Sequence, residues 1–299
     1  MYVTMKEIVD RAYKEGYGVP AVLGENETCI IAAIGAAEET KSPLIFINFV
    51  DTMPDPFFYC RMVKTYADQA SVPVALCLDH SPDFADAVAG IQAGFSAVMI
   101  DRSRLPFDEN AKEVKELVRI AHSVGVTVEA ELGHVGDGEN YETDGKTAFT
   151  DPDEAQRFVE ETGIDCLAVA VGTAHGAYRG TPKIQFDRLR ELHERCSVPL
   201  VLHGGSGSGD ENIYKACQNG IAKVNFARDI VQAGYDALME AKLEGDSMYD
   251  FFDVITNGIK EKVKHFFDIT GCKGKAWSQI PEFGVQKLGL EGGKEHEDK

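Results

Sequence analysis

Three histidines in this 299-residue chain sit at or just beyond the ends of short apolar runs. His80 closes "VPVALCLDH", His175 follows "CLAVAVGTA", and His203 joins "VPLVL" to the glycine-rich "GGSGSG". A neutral imidazole is a good zinc ligand, and three of them leave a fourth position open to water or substrate, the usual catalytic arrangement. A single histidine at such a place is more often an ordinary hydrogen-bonded residue. Three of them, each beside Gly or Asp, point to a metal centre. The other five (His122, His134, His193, His265 and His296) fall in helical or loop segments, where solvated surface roles suit most; His134 alone follows an apolar run closely enough to approach the three. Polar groups recur at the same kind of position: Asp79, Asp101, Glu129, Glu131 and Asn225. In "HGGSGSG" (203–209), the amides of Gly204, Gly205 and Gly207 and the Ser206 hydroxyl can wrap phosphate oxygens.

Side chains so scattered in sequence need a scaffold that brings strand ends together. Eight apolar, β-branched runs supply one: 19–23, 43–49, 72–79, 96–101, 126–133, 166–172, 198–204 and 222–227. Most are continuous rather than alternating, as strands buried on both faces of a parallel sheet must be. Between them lie stretches of helical period, including 84–94, 110–125 and 153–163, several closing on Gly. This rhythm predicts an α/β fold, a (β/α)8 TIM barrel, whose chemistry gathers at the C-terminal ends of its strands. A doubly wound open sheet is the main rival, but it would usually carry a glycine-rich dinucleotide turn after the first strand, and "VPAVLGENET" has none. Residues after 228 read as the last barrel helix plus extra C-terminal helices. One domain is expected over 1–286, with a disordered tail at 287–299.

Composition narrows the partners. The chain is 44% hydrophobic, ample for a large core, and carries a net charge of −19. Such a surface attracts neither nucleic acid nor anionic membrane, so an anionic ligand needs a local basic pocket. Seven scattered cysteines without a CxxC pair suit reduced thiols and a cytoplasmic location. The N-terminal residues read as an amphipathic helix rather than a signal peptide, and no apolar run reaches membrane-spanning length.

Over nearly its whole length the chain resembles the class II, zinc-dependent fructose- and tagatose-bisphosphate aldolases. The segments that carry the resemblance are "LDH" (78–80), "GFSAVMIDRSRLPFDEN" (94–110), "VEAELG" (128–133), "GTAHGAY" (172–178), "VPLVLHGGSG" (198–207) and "GIAKVN" (220–225). It implies a lyase that breaks the C3–C4 bond of a ketose phosphate to give dihydroxyacetone phosphate and an aldehyde. His80, His175 and His203 would hold Zn²⁺, with Glu131 at an alternative metal position. Asp79 would move the C4 hydroxyl proton, Glu139 in the loop "GHVGDGENY" would handle the carbanion, and Asn225 would bind the enediolate. Gly176, Gly204 and Ser206 would grip the phosphate, near a monovalent cation. The resemblance also implies a homodimer or homotetramer.

Departures from the family pattern concentrate at the distal end of the substrate. Leu23 stands where the family has an Asn, Phe49 where it has a Ser, and Phe252 where a late Arg reaches the second phosphate, often from a neighbouring subunit. Arg228 replaces a small hydroxyl residue near the first phosphate, where a guanidinium can grip phosphate or carboxylate. Arg102 and Arg104 stand where the family has small residues and His; surface salt bridging is the simpler role for both. A phosphate dianion against Leu and Phe would be costly, so an altered aldehyde specificity is expected. A zinc hydrolase on the same barrel lacks its HxH pair on the first strand. A Schiff-base aldolase has only Lys223, which is poorly placed. A non-catalytic relative that binds zinc or a sugar phosphate stays open as the alternative.

Overall fold

The computed structural model describes residues 1–136, 149–178 and 180–277. Eight strands close a barrel in sequence order: β1 (Val19–Leu23), β2 (Leu44–Asn48), β3 (Val74–Ser81), β4 (Ala97–Ile100), β5 (Thr127–Leu132), β6 (Cys166–Val169), β7 (Leu200–Leu202) and β8 (Ile221–Phe226). Every pair is parallel, including the closing pair in which Ala21 lies opposite Asn225. The expected TIM barrel with extra helices is the observed one. Helix α1 (Met5–Glu15) precedes β1; α2 (Glu27–Thr40), α3 (Pro56–Gln69), α4 (Phe84–Ala93), α5 (Phe107–Ser123), α6 (Pro152–Thr162), α7 (Phe186–Arg195), α8 (Asp210–Gln218) and α9 (Arg228–Ala241) follow the eight strands in turn, and α10 (Phe251–Thr270) packs on α9 and α2. Among the described residues no helix is long and apolar enough to cross a membrane, and all seven cysteines are free and buried. The tail at 287–299, with His296, lies outside the described residues.

Local signals set these elements. Thr4 and Glu7 form a reciprocal capping box at α1, while Asp55 and Asp151 cap α3 and α6 ahead of Pro56 and Pro152. Strand ends differ from the apolar runs in an informative way. β6 and β7 stop at Val169 and Leu202, before the runs end, because pairing ceases where the loops carrying His175 and His203 leave the barrel. β3 instead continues to Ser81, through a register shift against β4 between Leu78 and Ser81.

The barrel interior is unusually polar. Branched apolar side chains normally fill such a core. Here Asp79, Glu129, Glu131, His203, Lys223 and Asn225 are all buried inside it. They meet across the interior: Glu129 of β5 reaches His203 beyond β7 and Lys223 of β8, and Asn225 of β8 reaches Asp79 of β3.

Candidate active site

Neighbouring residues in a strand point to opposite faces, yet Asp79 and His80 both face the mouth of the barrel, where they line one cavity of about 440 Å³. The reason is His80 itself, whose φ of 46° lies in the left-handed region that a residue with a Cβ rarely enters. That conformation and the accompanying register shift form a bulge that re-aims the imidazole. Its strain sits at the centre of the candidate site.

The structure brings the three expected histidines together. Their ring nitrogens can all be chosen within 4.8 Å of one another. The ring centroids of His80 lie 4.8 Å from His175 and 4.6 Å from His203, and those of His175 and His203 lie 5.6 Å apart. Each of two rings is held from behind. His80 Nδ1 meets Asp101 Oδ2 at 3.0 Å, and His203 Nε2 meets Glu129 Oε1 at 2.9 Å. The nitrogens left over, His80 Nε2 and His203 Nδ1, are buried and have no hydrogen-bond partner. Glu131 Oε2 comes within 3.3 Å of His203 Nδ1, but both atoms remain without a hydrogen bond. Buried polar atoms are normally satisfied. A divalent cation among these atoms would satisfy them, and outer carboxylates on ligating histidines are the usual arrangement. The donor set therefore fits a metal, with Glu131 close enough to serve a second position: His80, Asp101 and Glu131 also bring ligand atoms within 4.8 Å.

The local field agrees. Burial and the other two imidazoles push His175 down to about 4, so it is neutral and able to ligate near pH 7. Burial opposes charge on His203, but the hydrogen bond to Glu129 and the Glu131 carboxylate beside the ring prevail and raise it to about 10. A field that favours positive charge on an imidazole equally favours a cation among the rings. Burial works against the Glu131 carboxylate too, yet His134 and His203 hold it well below the ordinary range.

Other expected residues divide. Gly176, Gly204, Ser206, Asn225 and Arg228 all line the same cavity. Gly204 has φ 68°, and a Cβ there would lie 2.2 Å from the Ala174 carbonyl oxygen, so only glycine lets this loop pass the one carrying His175. At Gly176 a Cβ would meet nothing within 4 Å, because it faces the open cavity. Two of the loop amides read as phosphate donors are already engaged: Gly205 N donates to Asn225 O at 3.0 Å and Gly207 N to Asp229 Oδ2 at 3.3 Å. The Ser206 Oγ accepts from Asp229 N at 3.2 Å. Glu139 lies outside the described residues.

Arg102 is a structural residue, bonded through Nε to Glu113 at 2.5 Å and through Nη1 to the Pro82 carbonyl. Arg104 is not: it lines the cavity and has no ion pair among the described residues. Phe49 lines the cavity as well, Leu23 is buried at 7% exposure, and Phe252 is 67% exposed on α10, away from the cavity of its own chain. Sequence reasoning named Asp101 and Glu129 as strand-end groups but gave them no partner; their place on inward-facing strand ends was the available signal. His134 does reach the site, 3.0 Å from Ser103 Oγ. Lys223 is not a rim lysine: it is fully buried in the interior and bonded to Glu129.

Comparison with known proteins agrees with this geometry. Residues 3–275 match the family model described as fructose-bisphosphate aldolase class-II. The YdjI aldolase of Escherichia coli K12 is 32% identical, with a TM-score of 0.83 over 93% of this chain and 100% of its own. A protein of Coccidioides immitis named as a candidate fructose-1,6-bisphosphate aldolase is 30% identical, with a TM-score of 0.80 over 91% of this chain and 97% of its own. The fructose-bisphosphate aldolase of Campylobacter jejuni shares the fold at 22% identity and a TM-score of 0.78, over 92% and 96%. By fold, by the placing of its histidines and by this match, the chain belongs to the class II fructose-bisphosphate aldolase family.

Proposed function

We propose that the protein is a zinc-dependent aldolase that cleaves, or forms, the C3–C4 bond of a ketose 1-phosphate, yielding dihydroxyacetone phosphate and an aldehyde. The observation that carries this reading is the pair of buried, unpartnered nitrogens, His80 Nε2 and His203 Nδ1, converging with His175 at the mouth of the barrel. These three residues would hold the ion, which when bound supplies Lewis acidity to the ketose carbonyl.

The chain's own residues divide the remaining work. Asp79 is buried, with Oδ2 fixed by Asn225 Nδ2 at 2.8 Å and Oδ1 unpartnered. Oδ1 takes the proton of the C4 hydroxyl as the C3–C4 bond breaks; the bonding pair passes to C3 and the C4 oxygen becomes the aldehyde. The Asn225 amide donates to the enediolate oxygen. Glu139 returns a proton to C3. Ser206, Gly176 and Gly204 hold the phosphate at the N-terminal end of α9, where backbone N–H groups favour an anion. Arg228, the first residue of α9, adds a positive charge there, which the net charge of −19 makes necessary.

The distal end differs. It is walled by Ile47, Phe49 and Val135, with Arg104 as its cation. β4 and β8 lie on opposite sides of the closed barrel, so Arg104 and Arg228 stand across the mouth from each other. An aldehyde that is unphosphorylated, or that carries its charge elsewhere, suits these walls. We also propose a cytoplasmic homo-oligomer, supported by the exposed Tyr235, Met239, Tyr249 and Phe252 of the α9–α10 region; sedimentation velocity tests it.

The deciding experiment compares turnover of fructose 1-phosphate, fructose 1,6-bisphosphate and tagatose 1,6-bisphosphate, each with and without EDTA. Metal-dependent cleavage that favours the monophosphate is expected. Preference for either bisphosphate overturns the altered specificity, and release of no aldehyde from any of them by the zinc-loaded protein favours a non-catalytic relative.

A further inference from the structure

One buried charged group has no part in the chemistry above. Lys223, on β8, is fully buried in the barrel interior, with the thiols of Cys77 and Cys166 nearby. Its Nζ donates to Glu129 Oε2 at 2.7 Å. The other oxygen of the same carboxylate, Oε1, meets His203 Nε2 at 2.9 Å. Exposure of all three side chains is 0%.

Stability does not explain this chain of contacts. Desolvating two charges costs several kcal/mol per ion, and a buried pair replaced by apolar residues of similar volume often leaves a protein as stable or more so. Barrel interiors are normally filled with branched apolar side chains. What the pair does accomplish is directional. The carboxylate of a glutamate can turn about its terminal torsion, whose preference is broad. An ammonium pinning Oε2 fixes the plane of the group, so that Oε1 points at the His203 ring. The ring is then held through Nε2, and the atom it presents to His80 and His175 is Nδ1, which makes no hydrogen bond.

We infer that Lys223 is a positioning residue for the metal centre: by clamping Glu129 from below it fixes the orientation in which His203 offers Nδ1 to a divalent cation. The inference rests on the metal-site reading above. It reassigns Lys223, the one lysine buried in the barrel among the described residues, from a candidate for covalent chemistry to a support that never touches substrate.

The test measures zinc affinity by competition with a chromophoric chelator, beside the thermal midpoint of the metal-free protein. Two variants are compared with the wild-type full chain. Lys223→Met removes the clamp and keeps the length of the side chain. The double variant Glu129→Gln, Lys223→Met removes both charges, so no lone carboxylate is left buried if the single variant fails to fold. Zinc affinity is expected to fall about 10- to 100-fold in each folded variant, the usual effect of losing an outer support. The metal-free midpoint of the double variant is expected to stay at or above that of wild type. A folded variant that binds zinc within twofold of wild type overturns the inference while leaving the metal site standing, as does a lower metal-free midpoint with unchanged affinity. A wild-type protein that binds no zinc overturns both.

Discussion

Asn225 of β8 donates its amide through the barrel interior to Asp79 of β3, three strands away, at 2.8 Å, and leaves the other Asp79 oxygen buried and unpaired. A carboxylate fixed through one oxygen and free at the other is oriented for proton transfer. Asp79→Asn keeps the size and a carbonyl to receive the Asn225 amide, but removes the base. It is expected to lower kcat by about 10²- to 10⁴-fold, the range typical of a lost general base, with zinc content and KM nearly unchanged. Stopped turnover with full metal occupancy is the signature. A variant that keeps a tenth of the wild-type rate removes Asp79 from the proton path.

Removing the metal gives a second outcome. Chelation is expected to abolish cleavage and to lower Tm, because a ligand that binds only the folded state adds about 2.7 kcal/mol when it stands a hundredfold above its Kd, roughly 4 °C for a chain of this size. Added zinc restores both. Borohydride with substrate present is expected to leave activity intact, since Lys223 is sealed in the barrel and bonded to Glu129. Covalent trapping of the substrate would identify a different aldolase chemistry altogether.

The glycine loop predicts a third. Gly204→Ala places a methyl 2.2 Å from the Ala174 carbonyl oxygen at a φ of 68°, a position strained for any L side chain. Non-glycine residues in such regions cost about 1–3 kcal/mol, and here the backbone contact adds to that. The affected loops carry His175 and His203, so Tm and zinc affinity should fall together. Gly176→Ala meets nothing within 4 Å in the protein; its effect is expected in KM for the phosphorylated substrate, with Tm shifted less than at Gly204.

Much of this was legible in the sequence because the barrel converts position along a strand into position in space. Continuous apolar runs give strands buried on both faces, and residues just beyond their ends must meet at one rim. That logic locates His80, His175 and His203 without contact information. It fails for groups whose role depends on parity and cross-barrel reach. Glu129 and Lys223 lie within strands, inward-facing, and their partners come from strands distant in sequence. The bulge at His80 was illegible for a related reason: "LDH" has no Gly or Pro to mark it, and a left-handed histidine is held by tertiary contacts rather than by local preference. The engaged amides of Gly205 and Gly207 belong to the same class, since their acceptors, Asn225 O and Asp229 Oδ2, come from the following unit.

On the proposed reading, specificity at the far end of the cavity would rest on walls rather than on catalytic groups. Phe49 lines the cavity, whereas Leu23 is buried at 7% exposure and does not line it. Phe49→Ser is therefore expected to act more strongly than Leu23→Asn: it exchanges an apolar wall for a hydroxyl donor and should raise kcat/KM on fructose 1,6-bisphosphate about tenfold or less, because a single neutral hydrogen bond contributes about 0.5–1.5 kcal/mol. Arg104→Ala should act on charge alone. It is expected to reduce turnover of ketose 1-phosphates whose aldehyde half is anionic by about tenfold or more, a charged hydrogen bond being worth about 1.5–3 kcal/mol, and to leave those with a neutral aldehyde half within about twofold. Raising ionic strength should narrow the gap, since Arg104 is exposed to solvent at the mouth. Equal losses on neutral and anionic substrates would show that Arg104 shapes the loop after β4 rather than reading the substrate.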